Sequence, residues 1–324
     1  MATNTVDLET LRQKLTPKDY KTEVWNDWCP GCGDFGITAS LQQALFDLKI
    51  LPSEAVIFSG IGCSSKTPHW VNAYGVHTLH GRSLPFAQGV KLANPALTVV
   101  DTGGDGDGLG IGVAHFVNIG RRNIDLTYII YDNGVYGLTK GQASPTLRKG
   151  VKTKSLPKPN IQGNINPLIL AWASGFTFIA RGYSYEVQFT KDLIKQAIQH
   201  RGLALVSVLQ PCPTYNDINT KEWYGERIYK LGADYDPVIT ADMDPETAEK
   251  KVGRFTEKAF EWGDHIPIGV FYKDIGTDTY EDRVAARIPT YRAAPPALRP
   301  IADDKGNPLA DVSAIVDTLV VAGA

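Results

Sequence analysis

Short, continuous apolar runs alternate along the chain with longer stretches in which apolar residues recur every three or four positions. The runs at 55–58, 97–100, 124–131, 176–180, 203–209 and 267–272 are short, largely apolar and bounded by turn residues, which predicts buried strands. Between them the helical repeat predicts helices near 37–48, 85–92, 109–119, 167–174, 185–201 and 245–262; in the first, positions 37, 41, 44, 45 and 48 are apolar. Strands alternating with helices predict an α/β fold with a mostly parallel sheet flanked by helices. Residues 1–24 read as a charged arm without sustained periodicity, 25–275 as the α/β domain, and 276–324 as a proline-, alanine- and charge-rich tail packing on the domain or on a partner.

The polar residues that interrupt this pattern carry the chemistry. The 97–100 strand runs into Gly104-Asp105-Gly106-Asp107, and the 124–131 strand into Asp132-Asn133-Gly134-Val135-Tyr136-Gly137. Both sets sit where a parallel strand ends, the edge at which open α/β sheets bind ligands. Asp105 offers a carboxylate oxygen and Asn133 an amide oxygen, the hard ligands that suit Mg²⁺ bridged to a phosphate. Glycines fall at 104, 106, 108, 110 and 112 without forming G-x-G-x-x-G, and no Gly-Lys-Ser/Thr follows, so the dinucleotide fingerprint and the Walker loop both fail. Gly-Asp-Gly, a helix, a strand and then Asn is instead the thiamine diphosphate pattern; two unrelated turns are its plainer reading. The N-terminus of the 109–119 helix would favour a diphosphate oxygen. Arg82 or His80 is placed to touch a phosphate, and His77 with His80 reads either as a zinc pair or as two polar turn residues. Residues 138–159 form a long basic stretch with Lys140, Arg148, Lys149, Lys152, Lys154 and Lys158, which suits an anionic substrate or a solvated surface loop equally.

Four cysteines change the picture. Cys29 and Cys32 form a Cys-Pro-Gly-Cys knuckle, Cys63 follows the 55–58 strand in Gly60-Ile61-Gly62-Cys63-Ser64, and Cys212 follows the 203–209 strand. Four thiolates hold a [4Fe-4S] cluster, and they hold a structural zinc just as well. Cys63 lies in the loop expected beside the thiamine ring, where a one-electron carrier has a use and redox-silent zinc has none. With 43% hydrophobic and 21% charged residues, the composition is that of a soluble globular protein with a sizeable core. Net charge of −2 gives no reason to expect nucleic acid or a membrane surface as partner. No apolar run approaches the ~18 residues of a spanning helix, and residues 1–20 lack a signal-peptide core. A cytoplasmic location is expected, where thiols serve metals or redox chemistry in preference to disulfides.

The motifs at 28–33 (Trp-Cys-Pro-Gly-Cys-Gly), 60–64, 77–82, 103–107, 132–146 and 210–216 together resemble, in order, the β subunit of archaeal-type 2-oxoacid:ferredoxin oxidoreductases, over residues 23–275. The resemblance implies one [4Fe-4S] cluster on Cys29, Cys32, Cys63 and Cys212. It implies Mg²⁺ on Asp105, Asn133 and the backbone oxygen of Val135, and thiamine diphosphate lined by Ile61, Gly62, Cys63, Ser64, Gly106, Asp107, Gly137 and Leu138, to which His80 is added from its own place in the sequence. Gly108 departs from the family pattern, where a larger apolar residue stands. The implied reaction is 2-oxoacid, CoA and two oxidised ferredoxins giving acyl-CoA, CO₂ and two reduced ferredoxins. Pyruvate, 2-oxoglutarate and aryl pyruvates are all family substrates. No second α/β half carries the glutamate that activates the aminopyrimidine, so a larger α subunit is expected to supply it and the chain alone is expected to be inactive. Lys140 is placed to pair with the substrate carboxylate, a surface lysine being the plainer reading. Two rivals stand beside this: a non-redox thiamine decarboxylase or ligase with structural zinc, and a zinc-stabilised binding or scaffold subunit.

Overall fold

A computed structural model describes residues 7–318. The chain begins with α1 (Leu8–Lys14), α2 (Asp34–Asp47), β1 (Ala55–Ser59) and β2 (Tyr74–His77), then α3 (Ser83–Ala93), β3 (Thr98–Gly104), α4 (Val113–Gly120) and β4 (Thr127–Asp132). A small hairpin, β5 (Val135–Tyr136) with β6 (Gln142–Ala143), precedes α5 (Pro167–Ser174), β7 (Phe178–Tyr183), α6 (Val187–Gln199) and β8 (Ala204–Leu209). Then come α7 (Lys221–Gly225), β9 (Ile228–Lys230), β10 (Val238–Ile239), α8 (Pro245–Phe260), β11 (Ile266–Asp274), α9 (Tyr280–Arg287) and α10 (Ser313–Asp317).

The main sheet has the order β10-β11-β7-β8-β4-β3-β1-β2, with β9 also on β11. Within it only the β11–β7 pair is antiparallel. The strands from β7 to β2 therefore all end at one edge, and their following loops meet there. Both faces are covered, which explains why the strands read as continuous apolar runs. Successive β4 side chains point to opposite faces: Tyr128 and Ile130 pack with Phe116, Leu168, Phe176 and Phe255, whereas Ile129 and Tyr131 pack with Ile37, Leu41 and Ile194.

The expected 109–119 helix differs at its start. Gly106–Ile111 is one wide turn in which the Gly112 N–H donates to the Asp107 carbonyl at 2.8 Å, and the α-helix begins only at Val113. The glycines permit this packing. A Cβ at Gly108 would lie 2.1 Å from the hydroxyl of the buried Tyr128, so the space that a larger residue would need belongs to Tyr128. Gly108→Ala is expected to destabilise the chain by ~1–3 kcal/mol through overpacking. Tyr128→Phe in that background should recover part of the loss, because it deletes the clashing, unpartnered hydroxyl. Urea denaturation of the two variants checks this; an unperturbed Gly108→Ala midpoint would contradict it.

The strand β2 and the short β9 and β10 do not stand out in the sequence. They lie toward the sheet margins and are largely solvent-facing, so no apolar run marks them. Part of the expected arm is ordered: Asp7 caps α1, Arg12 makes a forked ion pair with Glu54, and the buried Tyr20 hydroxyl donates to the Ile50 carbonyl at 2.7 Å. Beyond residue 276, α9 starts on a Thr279–Asp282 capping box, and Tyr291 donates to the Leu92 carbonyl at 2.8 Å. Asp282 also takes ion pairs from Arg201 and Arg292. These contacts gather at the N-terminal ends of the strands, away from the loops described next. Residues 1–6 and 319–324 of the expected arm and tail lie outside the described residues.

Candidate active site

The loops after β1, β3 and β4 enclose a cavity of about 70 Å³ at the shared edge of the sheet. Ile61, Gly62, Cys63, Ser64, His80, Gly106, Asp107, Gly137 and Leu138 line it, and so do Asp105, Asn133 and Val135. Asp105 is buried. Its carboxylate accepts from the Gly106 N–H at 3.0 Å, the Gly134 N–H at 3.1 Å, and the Ser144 and Thr146 hydroxyls. Burial, and then the charge of Asp132, raise its pKa. No Lys or Arg among the described residues makes an ion pair with it. The Asn133 amide donates to Gln210 Oε1 at 2.7 Å, which leaves its oxygen facing the Val135 N–H at 2.9 Å. A buried carboxylate held by hydrogen bonds alone, beside an oriented amide oxygen and a loop carbonyl, is a hard-oxygen set that fits a divalent cation.

Asp107 ties three loops together. One of its carboxylate oxygens accepts from the Ile61 N–H at 3.0 Å, the Gly81 N–H at 2.7 Å and His80 Nδ1 at 2.5 Å. Gly60 makes room for it, since a Cβ there would sit 2.1 Å from the other oxygen. His80 thus faces the cavity with Nδ1 engaged. Arg82 does not line the cavity; its guanidinium reaches the carbonyls of Gly81 and Ile111 at 3.2 and 3.4 Å. His77 lies beside His69, with ring nitrogens 3.5 Å apart, so the zinc pair read from His77 and His80 does not form.

A second cavity, of about 60 Å³, adjoins the first and is lined by Cys29, Cys32, Cys63 and Cys212. Four contacts hold its walls. The Gly33 N–H donates to the Pro211 carbonyl at 3.1 Å, Tyr185 to the Gly31 carbonyl at 2.6 Å, and the Trp28 indole to the Cys63 carbonyl at 2.7 Å. The Gln210 amide donates to Cys32 Sγ at 3.2 Å. All four thiols are free, and burial raises the pKa of Cys32, Cys63 and Cys212. Among the described residues, no three His, Cys, Asp or Glu side chains converge closely enough to hold one metal ion. Four thiols lining one cavity are a donor set that fits an iron–sulfur cluster and a structural zinc alike.

Several participants are absent from the sequence reading. Ser144 and Thr146 close over Asp105 from 39 and 41 residues away; the Ala-Ser-Pro-Thr motif was the one available signal. Asp34, buried at the start of α2 with its pKa raised to about 7 by burial, lines the cysteine cavity. Lys140 is exposed, in left-handed backbone at φ 79°, and the cavity lining stops at Thr139.

Residues 60–208 match the family described as thiamine pyrophosphate enzyme, C-terminal TPP binding domain. Residues 212–287 match the family described as the C-terminal part of the pyruvate ferredoxin oxidoreductase beta subunit. The first match spans the β1, β3 and β4 loops and the second starts at Cys212. The chain is 57% identical over 296 residues to the 2-oxoacid:ferredoxin oxidoreductase subunit beta of Saccharolobus solfataricus, covering 90% of this chain and 96% of that one. It belongs to the 2-oxoacid:ferredoxin oxidoreductase β subunits. The β subunit is also similar to the 2-oxoglutarate oxidoreductase subunit of Mycobacterium tuberculosis, at 33% identity over 91% of this chain and 87% of that one. Among solved structures it is similar to the 2-oxoglutarate:ferredoxin oxidoreductase of Magnetococcus marinus, solved with 2-oxoglutarate, coenzyme A and succinyl-CoA bound. That match has a TM-score of 0.78 and 34% identity, and covers 95% of this chain and 97% of that one. Membership makes this β subunit part of an oxidoreductase that works with a partner subunit, and the binding-domain match assigns it thiamine diphosphate. No helix among the described residues is long and apolar enough to cross a membrane.

Proposed function

We propose that the adjoining cavities form one redox centre, with thiamine diphosphate and Mg²⁺ in the first and a [4Fe-4S] cluster in the second. The assembled cytoplasmic enzyme would convert a 2-oxoacid and CoA to acyl-CoA and CO₂ and pass two electrons to ferredoxin. The observation that carries this reading is Cys63, which lines both cavities and so sets a cluster ligand against the cofactor. When bound, thiamine diphosphate supplies the electron sink for decarboxylation and the cluster accepts electrons singly. The chain's own residues bind and orient. Asp105, the Asn133 amide oxygen and the Val135 carbonyl would hold the cation; Asp107, which joins the loops of Ile61 and His80, would fix them for the diphosphate. Cys29, Cys32, Cys63 and Cys212 would hold the iron. The zinc-based readings, enzymatic or scaffolding, lose support because the relatives are 2-oxoacid oxidoreductase subunits.

Among the described residues no glutamate lines either cavity, which supports an α subunit as the source of the group that activates the aminopyrimidine. The test is 2-oxoacid- and CoA-dependent ferredoxin reduction by the chain alone and with its α subunit. Activity should need both; full activity from the single chain would refute the requirement.

Lys140 follows the last lining residue of the cofactor cavity, and we place it against the substrate carboxylate. Lys140→Ala should raise KM for the 2-oxoacid by about tenfold or more, the size of one charge-assisted contact. An unchanged KM across several 2-oxoacids would remove that role.

A further inference from the structure

A third cavity, of about 130 Å³, opens behind the Asn133 loop, between β7, α7 and the end of α8. Its walls hold two guanidinium groups, one buried and one exposed. Arg181 is only 4% exposed, and among the described residues its guanidinium reaches just two carbonyls, those of Pro267 and Ala259, both at 3.3 Å. The Trp262 and Phe271 rings flank it at 5.7 and 5.2 Å, and the two long bonds leave most of its five N–H donors without an oxygen acceptor. Burial lowers its pKa to about 10, so it stays charged at neutral pH. Arg148 is exposed at the mouth and lies over the Trp262 ring at 4.7 Å, with no side-chain hydrogen bond to protein among the described residues. Tyr224 is 3% exposed, and its hydroxyl likewise has no hydrogen-bond partner among the described residues. Asp132 is the one carboxylate among the described lining residues, and one of its oxygens already accepts from Thr146 at 2.7 Å. Two guanidinium groups against one carboxylate leave the cavity net positive.

Buried polar groups ordinarily find partners, and each one left without is a cost that calls for a reason. The buried Arg181 and Tyr224 line neither the cofactor cavity nor the cysteine cavity, so neither supplies one. The space exceeds the ~10–15 Å³ that one water needs and is smaller than the ~300–1,000 Å³ of a drug-sized pocket. We propose that this cavity is a binding site for a small oxyanion, a carboxylate or phosphate of a few heavy atoms, gripped by Arg148 and Arg181 with the Tyr224 hydroxyl donating to it. Guanidinium forks match both anions in two-point geometry. The site stands on its own lining and does not depend on the chemistry assigned to the other two cavities.

The test is calorimetric titration of the β subunit, assembled with its partner, with malonate and separately with inorganic phosphate at fixed ionic strength. One saturable site per β chain is expected for at least one probe. Tighter malonate binding assigns a carboxylate ligand, and tighter phosphate binding assigns a phosphate. Arg148→Gln and Tyr224→Phe should each weaken the preferred probe by roughly tenfold or more, the loss of one hydrogen bond to a charged group. Arg181→Lys, which keeps the charge and loses the fork, should weaken it too; its melting curve shows whether that buried substitution still folds. Absence of saturable binding by both probes, or unchanged affinity in both Arg148→Gln and Tyr224→Phe, overturns the proposal.

Discussion

Asp105→Asn should cost the protein most of its affinity for thiamine diphosphate in the presence of Mg²⁺. The substitution keeps the size of the side chain and removes the charge the cation needs. Deleting one member of a buried charged contact costs ~2–5 kcal/mol, which is roughly thirty-fold to several thousand-fold in affinity. It also places an amide NH₂ among groups that all donate to Asp105: two backbone N–H groups and the hydroxyls of Ser144 and Thr146. Stability should move differently. Burial raises the pKa of Asp105 in the cofactor-free protein, so folding favours its protonated form. The stability such a group contributes is complete below the unfolded-state value of ~3.9 and is lost as pH rises through the folded value. At neutral pH, relief of the buried charge therefore offsets part of the cost of the misplaced amide, and cofactor-free Asp105→Asn should lose far less stability than it loses cofactor affinity. Fluorescence titration with thiamine diphosphate and a thermal melt check the two halves. Parental affinity in the variant would remove Asp105 from the metal site.

The second large effect separates the two cavities. Cys212→Ser should eliminate bound iron and acid-labile sulfide and take ferredoxin reduction below detection, because the cluster needs all four thiolates. Thiamine diphosphate should still bind, and more tightly than to Cys63→Ser, since Cys212 lines the cysteine cavity and not the cofactor cavity. Cys63 lines both, so Cys63→Ser should disturb both measurements. Metal analysis beside a cofactor titration of the two variants tests this. Full iron content in Cys212→Ser would break the assignment of the fourth ligand.

The sheet was legible because its strands are buried on both faces and so spell continuous apolar runs; β4 is the clearest case. The strand β2 was not, because Tyr74, Gly75 and His77 are exposed and only Val76 is half-buried. Residues that line the candidate cavity were legible wherever a loop follows a strand, as with Asp105, Asn133 and Cys63. What escaped were groups brought in by tertiary folding alone. Ser144 and Thr146 lie on a hairpin return that no periodicity marks. Arg181 sits inside β7, where a lone charge looks like an interruption of the strand rather than the wall of a cavity. The wide turn at Gly106–Ile111 escaped because the group it packs on, the Tyr128 hydroxyl beneath Gly108, belongs to another element.

The central claim is a cluster coupled to thiamine chemistry across Cys63. Its most direct test is the anaerobically purified complex of this β subunit with its partner. Iron and acid-labile sulfide are counted per β chain, and the visible spectrum is followed as 2-oxoacid and CoA are added. The account predicts about four iron and four sulfide for one [4Fe-4S] cluster, with absorbance that bleaches on substrate addition. One zinc per chain, no iron and an unchanging spectrum would contradict it.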